Sequence, residues 1–349
     1  NLIKSIHLML SCPDKDLTME FQGGESLLAF ENIKFAIEYT RVKAEKLDKK
    51  IQYVICTNLD RLTDEILEYC KKRNVLISTS LDGPEYVHNF NRKLPGKNSH
   101  NLTEQGIRKV QSTLGMDRVS ALMTTSTESL KYPIEIIDEY RRLDFKSIFL
   151  RPISPYGFAV YNKNSHYLTE EFLDFYRKGL EYILELNKKG EFFSEIYTSI
   201  ILKRMYTAFS DGYVDLMSPA GAFSSAIIYD FDGKIYAGDE ARMLAQMDDH
   251  KFLIGNVDNT WEELINSPIV NELSSNGIND YLAGCDSCEF NIYCGADPVH
   301  HHATQGDMYG NRPTSSFCKR NKGVFGIIFE LIAEDSENER IFKSWIKNG

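Results

Sequence analysis

The sequence lacks long hydrophobic runs, internal repeats and low-complexity tracts. No stretch of eighteen consecutive apolar residues occurs in the 349-residue chain, so a transmembrane helix is not expected. The first ten residues, NLIKSIHLML, are too short and wrongly flanked for a signal peptide. Hydrophobic residues make up 42% of the chain and charged residues 26%, which is typical of a globular protein with one large domain or two ordinary ones.

Positive charge is scarce relative to negative charge. The chain has 40 lysine and arginine residues against 50 aspartate and glutamate residues, a net charge of −10, and this charge is spread along the chain. A negative surface repels the phosphates of nucleic acids and anionic lipids. We therefore expect neither a nucleic-acid partner nor a membrane partner.

Cysteines are few and unevenly placed. The chain has seven of them: Cys12, Cys56, Cys70, Cys285, Cys288, Cys294 and Cys318. An odd number, with four crowded near the C-terminus, is a poor framework for disulfides in a chain of this length. The pattern favours a cytoplasmic protein with a metal site.

The first 150 residues alternate between short β-type runs and helical stretches. Strands are predicted at 18–21, 52–57, 76–80, 119–124 and 147–151, and helices near 27–48, 61–73, 103–114 and 129–144. This alternation predicts a parallel sheet with right-handed crossovers, either open or closed into a barrel. In both arrangements the functional residues gather at the C-terminal ends of the strands.

The first predicted strand ends in the segment Gly23-Gly24-Glu25. Two glycines allow a ligand to approach the backbone closely, and the Glu25 carboxylate suits an ammonium group. The same residues also fit an ordinary turn in which Glu25 begins a helix, where a carboxylate is favoured.

Two further strand ends carry polar groups. The second predicted strand ends in Cys56-Thr57-Asn58, where Cys56 is expected to be a buried small hydrophobe and the Asn58 side chain could cap the next helix. After the third strand, Ser80 and Asp82 share one face of an extended chain. They could bind a ribose diol, although Asp82 could equally belong to an Asp-Gly-Pro turn.

The rest of the chain does not continue the alternation of strands and helices. We predict helices at 169–188, 192–209 and 261–275, a β-hairpin over 226–237 and a C-terminal helix at 322–346. The predicted domains are a β/α domain at 1–155, a helical connection at 156–216, a cysteine-rich domain at 217–325 and a C-terminal helix at 326–349.

The strongest chemical signal is Cys285-x2-Cys288-x5-Cys294 followed by Cys318. Four converging thiolates require a metal or a cluster, because unpaired thiolates are costly to bury. A four-sulfur shell suits zinc and an iron–sulfur cluster equally well. The nearby His300–His302 run offers substitute ligands, but four cysteines already fill a four-coordinate shell.

Together these segments resemble radical S-adenosylmethionine (SAM) enzymes with a SPASM-type C-terminal domain. The matching motifs are FQGGE, CTN, TSLDGP and CDSC-x5-C, in the family's order. The resemblance implies an α/β fold: a partial (β/α)6 TIM-like barrel, then a SPASM-like β-hairpin and a cysteine-rich helical domain. It implies SAM binding by Gly23, Gly24, Glu25, Asn58, Ser80 and Asp82. Of these residues, the Gly-Gly-Glu segment would hold the amino group, and the Ser-x-Asp pair would hold the ribose.

A narrower resemblance is to the maturases of His-Xaa-Ser repeat systems. The segments that carry it are MEFQGGESLL, YVICTNL, ISTSLDGP-EYVHNFNR and YCGADPVHHHATQGDM-YGNRPTSSFC. It implies a ribosomally made precursor peptide with His-Xaa-Ser repeats as the substrate. It also implies a paired second radical SAM enzyme and an electron donor such as flavodoxin or ferredoxin.

The family's Cys-x3-Cys-x2-Cys loop, which holds the [4Fe–4S] cluster that cleaves SAM, does not occur in this sequence. In the family this loop precedes the Gly-Gly-Glu segment, and NLIKSIHLML resembles the helix that follows it. We therefore expect the ligands of that cluster upstream of this chain, on a segment that is missing or disordered. Cys12 stands alone and cannot replace the loop.

A second departure concerns the SPASM cysteines. The full pattern binds two auxiliary clusters, and its additional cysteines would fall within 217–223, at Gly238 and at Pro298, where this chain has none. The four cysteines of the outer cluster all remain. The resemblance therefore implies one auxiliary cluster, [4Fe–4S] in type, held by Cys285, Cys288, Cys294 and Cys318, and this coherent loss favours iron–sulfur over zinc.

In the family, reductive cleavage of SAM gives methionine and a 5′-deoxyadenosyl radical that takes a hydrogen atom from a peptide. Some relatives place a catalytic carboxylate after the hairpin, where this chain has Asp239; a solvated turn residue is the alternative. The rival hypothesis is a non-catalytic zinc-bearing scaffold or peptide-binding partner of another maturase. An ordinary barrel aldolase or hydrolase would need a lysine, histidine or metal cluster at the strand ends, and none stands out.

Overall fold

The computed structural model describes residues 1–161 and 166–347. The chain divides into two compact units. The N-terminal unit comprises Leu2 and Ile6–Arg151, and the C-terminal unit comprises Asn1, Ile3–Ser5 and the chain from Pro152 onward. Within the described ranges, no helix is both long enough and apolar enough to span a bilayer.

The N-terminal unit is built on a four-stranded parallel sheet. Its strands are β1 (Asp16–Phe21), β2 (Lys50–Cys56), β3 (Leu76–Ser80) and β4 (Val119–Leu122), in the order β1-β2-β3-β4. Ile55 pairs with Ile77, and Thr79 pairs with Ala121, and all four side chains are buried. A short strand, β5 (Ser147–Ile148), follows. The predicted α/β fold with parallel strands is confirmed.

Helices connect these strands. They are α1 (Leu2–Ser11), α2 (Phe30–Lys46), α3 (Asp64–Arg73), α4 (Glu85–Asn91), α5 (Ser99–Leu114) and α6 (Pro133–Arg142). Ile6 and Leu10 of α1 pack in one buried cluster with Ala36 and Ala44 of α2. Burial of such apolar surface contributes most of the favourable free energy of folding.

The start of α3 differs from the prediction. Thr63 caps this helix, because its hydroxyl accepts a hydrogen bond from the Ile66 amide at 3.3 Å. Asn58 instead closes a local turn, in which its Oδ1 accepts from the Asp60 amide at 2.9 Å. The prediction that Asn58 caps this helix is therefore wrong.

The C-terminal unit is mainly helical. Its helices are α7 (Thr169–Lys188), α8 (Ile196–Tyr206), α9 (Asp239–Ala245), α10 (Trp261–Ile265), α11 (Pro268–Asn276), α12 (Pro298–Gln305), α13 (Ser316–Glu334) and α14 (Ser336–Lys347). Its strands are β6 (Ser194–Glu195), β7 (Ile228–Tyr229), β8 (Lys234–Tyr236) and β9 (Leu253–Asn256), of which β7, β8 and β9 form an antiparallel sheet. The predicted hairpin is β7–β8, whereas β9 was not predicted.

Two helices predicted as continuous are broken. The predicted helix at 261–275 is α10 and α11, because Pro268 has no amide hydrogen and Ser267 caps a new helix. The predicted helix at 322–346 is also wrong, since Asp335 is extended, with φ −151°. Asp335 Oδ1 accepts from the Glu337 amide at 2.9 Å at the start of α14.

Candidate functional site

Glu25 lies just beyond the C-terminal end of β1 and is held there by three donors. Its Oε1 accepts from the Leu27 amide at 2.9 Å and from the Thr57 hydroxyl at 2.6 Å. Its Oε2 accepts from the Asn58 amide at 2.9 Å. Because β1 and β2 are parallel neighbours, their ends meet at one sheet edge, which brings Thr57 and Asn58 to Glu25.

Gly23 and Gly24 leave open space beside this carboxylate. Both are exposed, and a Cβ added at either position would meet no atom within 4 Å. A carboxylate has about four acceptor positions, so the three donors leave one for a ligand. The segment therefore fits an ammonium group, as the resemblance implies.

Asp82 is engaged by protein donors. Its side chain is 2% exposed, and its oxygens accept from Arg92 Nε at 2.8 Å and Arg92 Nη2 at 3.1 Å. The Thr124 amide donates to Oδ1 at 3.1 Å. Ser80 is half-buried at the end of β3. The ribose role of these two residues stays a prediction. Arg92 contacts Asp82 but was not among the residues predicted for the site.

A buried histidine pair lies next to this ion pair. His88 Nδ1 accepts from the Asp82 amide at 3.3 Å, and burial lowers the pKa of His88 to about 4. The ring of His88 stands edge-on to that of His100, with centroids 5.7 Å apart. His88 is therefore a neutral acceptor near neutral pH.

His100, Glu104 and Glu139 bring three ligand atoms within 4.8 Å of one another. His100 Nε2 is 2.7 Å from Glu139 Oε1. Arg142 pairs with both carboxylates, donating to Glu139 at 2.7 Å and to Glu104 at 2.5 Å. A guanidinium thus already supplies the positive charge that a metal ion would bring, so this cluster is an ion-pair network.

The C-terminal unit brings the four predicted cysteine ligands together. Burial raises the pKa of the Cys294 thiol to about 11, and the Cys285 and Cys318 charges add to the effect. Burial likewise raises the pKa of Cys318, with Lys322 opposing and Cys285 and Cys288 adding to the rise. Each thiol therefore lies within electrostatic reach of others in the set, and none forms a disulfide.

In the described residues the sulfur atoms are not spaced as one bound zinc ion would hold them. In the described ranges no three cysteine sulfurs lie within 4.8 Å of one another. One zinc ion, with Zn–S bonds of about 2.3 Å, would hold its sulfurs about 3.8 Å apart. An iron–sulfur cluster carries each thiolate on a different iron and holds the sulfurs farther apart.

Polar groups from α13 and its preceding loop contact the sulfurs. Arg312 Nε donates to Cys285 Sγ at 3.1 Å, and Asn321 Nδ2 donates to Cys294 Sγ at 3.5 Å. Ser315 caps α13 by accepting from the Cys318 amide at 3.1 Å, which fixes the fourth ligand. These donors favour the thiolate form of the cysteines.

The three histidines act at a distance from the sulfurs. His301 lies 2.8 Å from the Ser315 hydroxyl through Nε2 and is hydrogen-bonded to Arg312. His302 Nε2 pairs with Asp249 at 2.7 Å. Gly310 packs against His301, and with φ +68° a Cβ there would lie 2.2 Å from the imidazole Cδ2. Within 1–161 and 166–347, no histidine is bonded to a cysteine sulfur.

The positions where the resemblance expected additional cysteines meet at one cavity. Ala222, Gly238 and Pro298 line a cavity of about 20 Å³ together with Asp215 and Asp297. Small side chains thus stand where further ligands were expected.

Asp239 opens α9 next to this cavity. Its Oδ1 accepts from Arg242 Nη2 at 3.0 Å, and its side chain is 39% exposed. This carboxylate is therefore an ion-paired first-turn residue, and its catalytic role stays a prediction.

No family model matches the chain. The chain is 24% identical over 179 residues to the radical SAM cyclopropyl synthase TigE of Paramaledivibacter caminithermalis, covering 51% of this chain and 36% of that protein. It is 28% identical over 137 residues to the serine-type anaerobic sulfatase-maturating enzyme of Bacteroides thetaiotaomicron, covering 38% of this chain and 32% of that protein. The matches thus span about a third of these curated relatives.

Solved structures share the fold over nearly the whole chain. Native anSMEcpe with bound AdoMet superposes with a TM-score of 0.78 at 17% identity, covering 100% of this chain and 90% of that one. Streptococcus suis SuiB bound to precursor peptide SuiA gives a TM-score of 0.61 at 14% identity, covering 91% and 69%. In sequence and in fold the chain is similar to radical SAM maturases, and that part of the resemblance is confirmed.

Proposed function

We propose that this chain belongs to a radical SAM enzyme that modifies a ribosomally made precursor peptide. The proposal depends on one observation. A fold similar to AdoMet-bound and peptide-bound maturases carries an anchored carboxylate at a sheet edge and four gathered thiols. We infer that the four-stranded sheet is part of a partial (β/α)6 barrel and that the hairpin and cysteine segment form a SPASM-like domain.

S-adenosylmethionine is the cofactor of the N-terminal unit in this proposal. Glu25 accepts its ammonium group, while Gly23 and Gly24 allow the methionyl end to lie against the backbone. Asn58 and Ser80 are the exposed and half-buried polar groups at neighbouring strand ends and contact the remaining polar atoms. Asp82 acts through Arg92, because its carboxylate is already bound by that guanidinium.

One auxiliary [4Fe–4S] cluster occupies the C-terminal unit and is ligated by Cys285, Cys288, Cys294 and Cys318. Arg312 and Asn321 donate hydrogen bonds to its sulfur ligands and partly neutralise their negative charge. When bound, the radical SAM cluster would supply reductive cleavage of SAM and hydrogen-atom abstraction.

The narrower resemblance suggests the remaining partners. We propose a precursor peptide with His-Xaa-Ser repeats, a paired second radical SAM enzyme, and flavodoxin or ferredoxin as the electron donor. Asp239 is the proposed proton acceptor after hydrogen abstraction.

The test uses the protein expressed from its whole coding sequence and purified and reconstituted without oxygen. With SAM, a reductant and the co-expressed precursor, we expect 5′-deoxyadenosine by chromatography and a modified precursor by mass spectrometry, with chiral amino-acid analysis for epimerisation. Absence of deoxyadenosine would refute the catalytic proposal. A colourless protein containing zinc, without iron and sulfide, would instead support the scaffold hypothesis.

A further inference from the structure

Two hydrogen bonds in series connect helix α8 to one of the four cysteine sulfurs. The Tyr197 hydroxyl, on α8, donates to Asn321 Oδ1 at 3.0 Å. Asn321 Nδ2, on α13, donates in turn to Cys294 Sγ at 3.5 Å. Tyr197 is 6% exposed and Asn321 is 0% exposed. Both polar side chains are thus shielded from water, where a hydrogen bond is electrostatically stronger than at the surface.

Helix α13 brings Asn321 to the cysteine site. Asn321 follows Cys318 by three residues, and side chains three positions apart lie on the same face of a helix. The start of this helix is fixed, because the Ser315 hydroxyl accepts from the Cys318 amide at 3.1 Å. One helix therefore supplies the fourth predicted ligand and also a donor to the sulfur of another ligand.

Tyr197 favours the orientation of the Asn321 amide in which nitrogen faces the sulfur. An asparagine side chain has an acceptor oxygen at one end of its amide and two N–H donors at the other. Donation from the Tyr197 hydroxyl to Oδ1 leaves Nδ2 on the side of Cys294. The same donation polarises the amide and strengthens the N–H bond that reaches the sulfur. A reversed amide would place its oxygen against the thiolate and repel it.

The position of Tyr197 is set by its own surroundings. The buried Glu195 carboxylate caps α8, and its Oε2 accepts from the Thr198 amide at 2.6 Å. The Tyr197 ring stands edge-on to the ring of Tyr213, with centroids 5.8 Å apart. A hydroxyl held by packing and by a capped helix start is pre-organised, so little reordering is needed when a ligand group binds.

We propose that Tyr197 is a positioning residue for the auxiliary cluster and raises the cluster's reduction potential through Asn321 and Cys294. The inference rests on the proposed function, because it requires an iron–sulfur cluster on the four cysteines. A hydrogen bond to a ligand sulfur stabilises the reduced, more negative state of such a cluster. The hydroxyl acts on a sulfur that lies two hydrogen bonds away.

The test is a redox titration of the whole protein, reconstituted without oxygen and followed by electron paramagnetic resonance. The signal that Cys294→Ser lacks identifies the auxiliary cluster. Tyr197→Phe keeps the ring and removes the hydroxyl. We expect it to change the equilibrium constant for reduction about threefold, the scale of one weakened neutral hydrogen bond. For a one-electron couple this lowers the potential by roughly 30 mV.

Asn321→Leu removes the bond to the sulfur itself and should change the same constant about fivefold, which lowers the potential by roughly 40 mV. The double variant Tyr197→Phe/Asn321→Leu should match Asn321→Leu, because the hydroxyl acts only through the amide. Additive shifts in the double variant would overturn the proposed route. These shifts would not follow from a merely structural role, since potentials are compared at equal cluster content.

The matched control is Tyr206→Phe. Tyr206 lies on the same helix, and its hydroxyl donates to the exposed Glu339 carboxylate at 3.2 Å. This variant should keep the potential of the unaltered protein. Iron content, sulfide content and thermal melting are measured for every variant. If Asn321→Leu fails to assemble the cluster, the comparison of Tyr197→Phe with Tyr206→Phe decides.

Three further results would overturn the proposal: an unchanged potential in Tyr197→Phe at full iron content, a raised potential in that variant, or an equal fall in Tyr206→Phe. Loss of iron from Tyr197→Phe alone would overturn it in favour of a structural role. Absence of iron and sulfide from the unaltered protein would instead refute the proposed auxiliary cluster, so the two failures are distinguishable.

Discussion

The Arg92 guanidinium holds the Asp82 carboxylate through two hydrogen bonds, Nε to Oδ2 at 2.8 Å and Nη2 to Oδ1 at 3.1 Å. Asp82 is 2% exposed and Arg92 is 38% exposed. The carboxylate is thus the buried member of the pair, and its negative charge has no access to water. The pair ties the segment after β3 to the end of α4 at the edge where we place SAM.

Replacing Arg92 alone should lower the free energy of unfolding more than replacing Arg92 and Asp82 together. Arg92→Met leaves a buried carboxylate unpaired and should destabilise the N-terminal unit by about 3 kcal/mol. Adding Asp82→Asn to that variant should recover most of the loss. Hydrogen exchange of the β3 amides measures both effects, with Arg61→Met, 62% exposed, as the control. Equal losses in the single and double variants would contradict the role of the ion pair.

Glu25→Gln should weaken SAM binding by roughly tenfold or more. The amide keeps the shape of the side chain but removes the charge that favours an ammonium group, and it replaces one acceptor by a donor. Anaerobic titration calorimetry with SAM checks this. Glu68→Gln, an exposed acid on α3, should bind SAM as the unaltered protein does. Equal affinities for Glu25→Gln and the control would exclude Glu25 as the ammonium acceptor.

Cys294→Ser should remove about four iron atoms per chain, because a serine alcohol replaces one thiolate of the auxiliary cluster. Cys12→Ser should leave the iron content unchanged, since Cys12 is a buried side chain at the end of α1. Iron and sulfide analysis after anaerobic reconstitution measures the loss. Loss of zinc instead of iron in Cys294→Ser would support the single-metal alternative.

Arg312→Gln should lower the reduction potential of the auxiliary cluster. The Arg312 Nε–H donates to Cys285 Sγ at 3.1 Å, and this positive charge stabilises the reduced, more negative state. We expect the reduction potential to fall by on the order of 60 mV. For a one-electron couple this equals a tenfold change in the equilibrium constant for reduction. Redox titration followed by electron paramagnetic resonance measures it. Arg340→Gln, on the exposed side of α14, should leave the potential unchanged, and an unchanged potential in Arg312→Gln would refute the effect.

The N-terminal unit should lose stability as the pH falls from about 6.5 to 4. Burial lowers the pKa of His88 from 6.5 to about 4, so the unfolded state binds more protons in that interval. The stabilisation is complete above pH 6.5 and falls by roughly 3 kcal/mol on acidification. Asp82, Arg92, His100 and Glu139 are the charged and titratable groups that face His88.

Hydrogen exchange of the β3 amides at several pH values tests this expectation. His88→Gln should flatten the pH dependence, whereas His7→Gln, which removes an exposed histidine of α1, should not. A slope that His88→Gln leaves unaltered would assign the pH dependence to other groups.

Local patterns predicted much of the fold. The helix predicted at 169–188 is α7, Thr169–Lys188, because its apolar stripe and acidic first turn are local signals. The cysteine spacing likewise predicted one metal or cluster site, since two cysteines separated by two residues can bind the same metal centre from a single chain turn. The proline and capping signals at Ser267-Pro268 and at Asp335 are also local. The two helix breaks were nevertheless missed, because the apolar periodicity continues across both positions.

Contacts between distant segments could not be predicted. The small cavity of the C-terminal unit joins Asp215, Glu240 and Asp297 from three separate segments, and no pattern in the sequence predicted that they meet. Arg92 is another example, because its partner Asp82 was interpreted as a ligand. Burial decides both outcomes, and burial is a property of the packed chain.

Gly310 links an ordinary loop to the electronic properties of the proposed cluster. A methyl group at this position would collide with the His301 imidazole, which bonds Arg312, whose guanidinium reaches the Cys285 sulfur. A substitution at a residue that touches no cysteine would thus be transmitted through two side chains to the electron density on a ligand sulfur.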